Sequence, residues 1–211
     1  PTIRNNTITH NGTGGHMILL GTESSGPSVV TNNRTNNALI YSNQVTGSNN
    51  SSTLHGIMVG GQSSAIVYGN KVTNASIGYL GKQDTSTLFS GNEANQISGQ
   101  AFRSKGSTNT AFVNNSLYIT TGYENGVGMY ADNNGTTYST GMIYKNNDIY
   151  ADVAMGQSFA SIPAGNDATF GGNNYYSTST FGGWNYQGTG YNTFANWQSA
   201  KESTALSVDP F

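Results

Sequence analysis

The chain has no cysteine, which excludes a disulfide framework and any thiolate-held metal. Secretion stays open, because extracellular proteins can do without disulfides. Charge is scarce: 9 % of the 211 residues are charged, with 8 Lys+Arg and 10 Asp+Glu. No basic cluster occurs, so nucleic acid is not an expected partner. The longest apolar run, Met17–Leu20, is far too short for membrane insertion. No signal peptide is visible ahead of Pro1, and the chain reads as a mature or excised fragment. Apolar residues are only 35 %, yet disorder does not follow, because net charge is −2 and aromatics are 11 %.

What is abundant is glycine, asparagine, serine and threonine, and the asparagines are patterned. A frame of one apolar residue, two residues, Asn, one residue and usually another apolar residue recurs along the chain. Its asparagines are Asn6, Asn43, Asn70, Asn92, Asn115, Asn146 and Asn173. A unit of roughly 20–30 residues with variable insertions is the mark of a solenoid. Each frame is followed by a turn and a second short strand, as in Gly56-Ile57-Met58-Val59, Ala101-Phe102-Arg103 and Asp152-Val153-Ala154-Met155. The strands alternate apolar with polar, the period-two signal of one buried face.

These features predict an all-β chain, a right-handed parallel β-helix of about seven coils. Coils span residues 1–175, and 176–211 form a capping segment of the same domain. Ile3, Ile40, Val67, Phe89, Phe112, Ile143 and Phe170 would share one interior column, and Ile57, Ile77, Phe102, Val127 and Val153 another. The asparagines would take the left-handed turn positions and join their amides in a ladder from coil to coil. In the tail, Phe194, Trp197 and Lys201 suit a short amphipathic helix with Asn192 or Thr193 as N-cap. Its aromatics would cover the open end of the stack.

The repeats and the tail Gly172-Asn173-Asn174-Tyr175-Tyr176-Ser177 … Phe194-Ala195-Asn196-Trp197-Gln198 … Ser207-Val208-Asp209-Pro210-Phe211 resemble the pectin-lyase-like right-handed β-helix proteins. The tail is similar to the endings of β-helix domains in large secreted or surface proteins of Bacteroidetes-type bacteria. The resemblance implies an extracellular or cell-surface location and further domains of a larger protein. It does not choose a reaction, since the fold hosts lyases, hydrolases, epimerases, tailspikes and adhesins.

A uronate lyase of this class needs a basic residue and a neutraliser for the substrate carboxylate, often calcium. Arg103 and Lys105 are the candidate catalytic pair, with Asp132 as an accompanying acid. Met58, Tyr79, Arg103 and Tyr130 would line a substrate groove on the second strands. Glu124, Asp132 and Asp152, which flank second strands of consecutive coils, are the candidates for a metal. The Asp-Asp and Gly-His-Gly motifs of hydrolases are missing. His16 and His55 precede second strands of early repeats and could stack, but without an acidic neighbour they do not read as a metal site. The leading expectation is therefore a non-catalytic extracellular module, structural or adhesive, touching polysaccharide or cell-surface glycan, with no cofactor. A lyase on an acidic polysaccharide, with calcium, and a phage tailspike-like domain are the alternatives.

Overall fold

Segments that alternate apolar and polar side chains become short strands, and each strand finds its partner one repeat away. The computed structural model describes residues 1–12, 14–21, 37–47, 53–61, 64–123, 125–154, 158–179 and 182–209. The first repeat supplies β1 (Thr2–Arg4), β2 (Thr7–His10) and β3 (Gly14–Gly21). The second supplies β4 (Leu39–Tyr41), β5 (Gln44–Gly47) and β6 (Thr53–Gly60). Next come β7 (Ile66–Tyr68) with β8 (Lys71–Lys82), and β9 (Leu88–Ser90) with β10 (Glu93–Lys105). The fifth holds β11 (Ala111–Val113), β12 (Ser116–Ile119) and β13 (Val127–Asp132). The sixth holds β14 (Met142–Lys145), β15 (Asp148–Ala151) and β16 (Ala160–Ile162). The last holds β17 (Ala168–Gly171), β18 (Asn174–Ser177) and β19 (Trp184–Tyr186). Two further elements, β20 (Thr189–Tyr191) and the helix α1 (Phe194–Ala200), close the order.

The leading strands form one 7-stranded parallel sheet, β1-β4-β7-β9-β11-β14-β17. A 13-stranded sheet carries the second and third strands of every repeat. There β8 and β10 serve both positions, bending at Asn74 (φ 57°) and Gln96 (φ 55°). Among the described strands only the β19–β20 hairpin is antiparallel.

Three apolar rows fill the interior. The first is Ile3, Ile40, Val67, Phe89, Phe112, Tyr144 and Phe170. Its rings stack with centroids 4.7 Å apart at Phe89–Phe112 and 5.3 Å at Phe112–Tyr144. The second is Ile8, Val45, Val72, Ala94, Leu117, Ile149 and Tyr175. The third is Ile18, Ile57, Tyr79, Phe102, Met129, Ala160 and Trp184.

These rows correct part of the sequence-based expectation. Tyr144 replaces Ile143, because β11 and β14 pair Phe112 with Tyr144. Ile77 lies in a row with His55 and Gln100, and Val127 also pairs with Gln100. Irregular register between Ile97 and Gln100 shifts which side chain turns inward. The strand expected at Asp152–Met155 is absent from residues 152–154, Met155 lies outside the described residues, and the pairing strand is β16.

The asparagine row runs through Asn6, Asn43, Asn70, Asn92, Asn115, Asn147 and Asn173. Each Nδ2 donates to the Oδ1 of the next repeat at 2.9–3.0 Å. In Asn115 the other Nδ2 proton goes to Phe89 O, and its backbone N–H also reaches Asn147 Oδ1. Both amide protons and the amide oxygen of this buried residue are thus used.

The left-handed turn residue is not the ladder residue but the one before it. Asn5, Ser42, Gly69, Gly91, Asn114, Asn146 and Gly172 all have φ between 53° and 67°. Asn146, expected in the ladder, is therefore the turn residue (φ 53°), and its neighbour Asn147 carries the bonds. Placing a residue in the left-handed region swings the next side chain into the interior, and only asparagine and glycine do this at little cost.

The ladder ends on a carboxylate. Asn173 N and Nδ2 both donate to Glu202 Oε1 at 2.8 Å. Tyr175 Oη–H and Trp197 Nε1–H donate to Oε2 at 2.8 and 3.0 Å. Trp197 sits on α1, which Thr193 caps by accepting from Asn196 N, and stacks on Trp184 at 5.9 Å. Leu206 then adds a backbone bridge outside β18, through Tyr175 N–H to Leu206 O.

Candidate functional site

The residues singled out from the sequence do not assemble one groove. Tyr79 points inward and is fully buried, with its hydroxyl 2.8 Å from the carbonyl oxygens of Asn70 and Glu93. Met58 is also fully buried, packed with Ile77 and Leu80 in a small second cluster. Neither is a substrate contact. The alternation places Leu80, not Tyr79, in the row with Met58 and Arg103.

Arg103, Tyr130, Lys105 and Asp132 do come together, on the paired strands β10 and β13. The Arg103 guanidinium grips Asp132 through both carboxylate oxygens, at 3.2 Å from Nε and 2.6 Å from Nη2. Its Nη1 donates to Gln100 Oε1 at 3.1 Å, and its carbon lies 5.5 Å from the Tyr130 ring centre. The pair is largely screened from water, with side chains 17 % and 13 % exposed. Burial first, then the Asp132 charge, pushes the Tyr130 hydroxyl up, so it stays protonated near neutral pH. A guanidinium paired with a carboxylate stays charged and is a poor base.

The acids are dispersed as well. Asp132 belongs to Arg103, and Asp152 accepts from Tyr118 Oη at 2.9 Å. Glu124 lies outside the described residues. Among the described residues no group of three or more His, Asp or Glu side chains is placed to hold a metal ion.

A concave feature lies on the outer face of β10, β12 and β15, lined by none of the residues expected to form the groove. One outward row there reads Thr9, Thr46, Thr73, Asn95, Tyr118, Tyr150 and Tyr176. The tyrosines stack, with centroids 5.1 Å apart at Tyr118–Tyr150 and 5.6 Å at Tyr150–Tyr176. In such a stack the inner faces cover one another and only the outer faces of the two end rings are left for a ligand. Tyr118 is one of these end rings, because the row drops from tyrosine to the smaller Asn95. The drop forms a hollow of about 380 Å³ lined by Glu93, Asn95, Tyr118 and Tyr150.

The hollow combines an apolar ring face with polar groups at its side. Glu93 pairs with Lys71 at 2.6 Å while both side chains remain nearly half exposed. Asn95 lends its side chain to the wall of the hollow, with its Oδ1 covered and without a hydrogen-bond partner. The hydrogen bond to Asp152 pushes the Tyr118 hydroxyl up, and burial does the same for Tyr150. Both rings are neutral at physiological pH.

The signal for this row was present in the sequence. Each member stands three residues after a ladder asparagine, as in Asn115 and Tyr118, Asn147 and Tyr150, and Asn173 and Tyr176. Counting from Asn146 lands on Ile149 and hides the stack. No protein-family model matches the chain, and no curated protein matches it in sequence.

Proposed function

We propose that the chain is a right-handed parallel β-helix module of a bacterial secreted or cell-surface protein that binds an uncharged glycan at the Tyr118 hollow. Support for the β-helix comes from the in-register parallel pairing of each strand with the next repeat. A chain with few charges and one continuous asparagine row suits a stiff, non-catalytic spacer carrying a binding face. The observation that carries the binding role is the step from Asn95 to Tyr118. A pyranose ring presents apolar C–H groups on one face and hydroxyls at its rim, and it fits a bare tyrosine face with an amide and a carboxylate beside it.

The charges nearby favour neutral over acidic sugars. Glu93 lines the hollow, Asp148 follows it in the same row, and Asp152 holds the Tyr118 hydroxyl. Lys71 is the cation paired there. A uronate would meet net repulsion, so the lyase alternative on acidic polysaccharide gains no help from this face. It gains little from Arg103, whose donors serve Asp132 and Gln100.

The test is calorimetric titration with oligosaccharides of glucose, xylose and N-acetylglucosamine, beside oligogalacturonate. Binding of a neutral oligosaccharide should weaken at least tenfold in Tyr118→Ala and stay unchanged in Tyr41→Ala, which alters a distant tyrosine pair. Absence of binding to every sugar, or equal binding in Tyr118→Ala, would overturn the proposal. Release of unsaturated sugar ends from oligogalacturonate, lost in Arg103→Ala, would replace it with the lyase reading.

A further inference from the structure

We infer that His16 and His55 form a two-histidine site for a late first-row divalent ion of the zinc or copper class. The two residues are direct partners across the parallel strands β3 and β6. Both are half-buried, and their Nδ1 atoms stand 3.1 Å apart with ring centres 4.7 Å apart. At this separation the two Nδ1 atoms share one proton, one nitrogen donating and the other accepting.

The same spacing suits a shared metal ion in place of the shared proton. With zinc–nitrogen bonds of about 2.0–2.1 Å, nitrogens at this separation subtend roughly 100° at the metal, between the right angle of a square-planar centre and the tetrahedral angle. The broad χ2 torsion of histidine lets both lone pairs turn to one point. Imidazole nitrogen favours zinc and copper over calcium or magnesium, and two such ligands leave open positions for water. The site differs from the Tyr118 hollow in residues, strands and chemistry, and it does not rest on the glycan proposal. Bound there, an ion ties the first repeat to the second, at the end of the asparagine row farthest from α1.

The experiment is calorimetric titration of the whole chain with zinc chloride at pH 7.5, after treatment with a chelator. One ion per chain should bind with a dissociation constant in the micromolar range and raise the melting temperature. His16→Ala and His55→Ala should each weaken binding at least tenfold. His10→Ala should leave it unchanged, because His10 Nδ1 accepts from Gly12 N within its own turn. Circular dichroism of the metal-free variants separates loss of the site from loss of the fold. Failure of the wild type to bind zinc, or binding that survives both substitutions, would overturn the inference. So would loss of binding in His10→Ala alone.

Discussion

Two polar rows cross the interior, at different corners of the repeat, and they are built differently. The asparagine row stands between the first and second strands and uses one residue type in all its repeats. The other row, Asp84, Ser107, Ser139 and Asn166, stands just before the leading strands of later repeats. There each backbone N–H reaches the side-chain oxygen one repeat on, at 3.4, 3.3 and 2.8 Å. Both rows satisfy buried backbone groups at a bend. In the asparagine row the side chains also join one another, because each amide carries two N–H donors beside its acceptor oxygen and can serve both a backbone carbonyl and the next amide. The second row therefore tolerates mixed residues and leaves gaps. Asp84 Oδ1 and Thr87 Oγ1 are buried without partners, while Thr110 Oγ1 donates to Asp84 Oδ2 at 2.9 Å.

The rows also end differently. At one end Asn6 is exposed to solvent, and at the other Glu202 is 2 % exposed and takes four donors. A row of amides has a direction, with donors pointing one way and acceptors the other. Its last member needs an acceptor, and a carboxylate supplies one without offering a competing proton.

Breaking the asparagine row in its middle should have the largest effect. Asn115→Ala removes the acceptor for Asn92 N and Nδ2 and the amide protons that reach Phe89 O and Asn147 Oδ1. A loss of about 3–5 kcal/mol is expected, read from denaturant unfolding. A loss under about 1 kcal/mol would mean the row does not hold the repeats together.

At the capped end, Glu202→Gln keeps an oxygen for Asn173 but turns an NH2 group toward Trp197 Nε1–H. Two donors then face each other, and about 1–3 kcal/mol should be lost. Equal stability of the two proteins would show that the cap needs only shape.

The second row should respond in the opposite sense. Burial pushes the Asp84 carboxyl up, against the neighbouring hydroxyls of Ser107, Thr87 and Thr110, which pull it down. Burial also pushes the Glu202 carboxyl up, partly offset by its donors from Asn173, Tyr175 and Trp197. In the unfolded chain both titrate near the ordinary carboxylate value of about 4. Between that value and the raised one the folded protein binds more protons, so stability falls as pH rises through this window. Their favourable contribution is complete below the unfolded value and lost above the folded one. Asp84→Asn mimics the protonated acid and should cost less than about 1 kcal/mol at neutral pH. It should also flatten the decline in melting temperature above pH ~4. A variant that melts well below wild type at pH 7 and closes the gap only in acid would contradict this. The smallest effect is expected at the open end, where Asn6→Ala should cost under about 1 kcal/mol in the same unfolding assay.

Much of this was legible residue by residue. The frame around Asn70, Asn92 and Asn115 identifies the row because apolar neighbours two after and three before it mark the buried face. The doublet Asn146-Asn147 defeats the same logic. Either residue fits the frame, and the left-handed turn at Asn146 settles the choice. One slip of register there displaced Tyr144 from the core and concealed the tyrosine stack. The Asp84 row was not legible, because aspartate, serine and asparagine in a bend look like any polar loop. Glu202 lies 29 residues from the asparagine it caps, and no local pattern connects them. Arg103 and Asp132 were candidates for one cleft, but their bidentate pairing was not legible, because the two residues lie 29 positions apart.

The sequence by itself determined the all-β character, the length of the repeat and the residues that alternate toward a core. Strand periodicity and the turn preferences of glycine and asparagine are local properties, read within a few residues. The tertiary structure decided which repeat residues share a row, where each row ends, and that a tyrosine face opens beside Asn95. Those depend on the register between strands some 20–40 residues apart, and a shift of one residue sends every side chain to the other face.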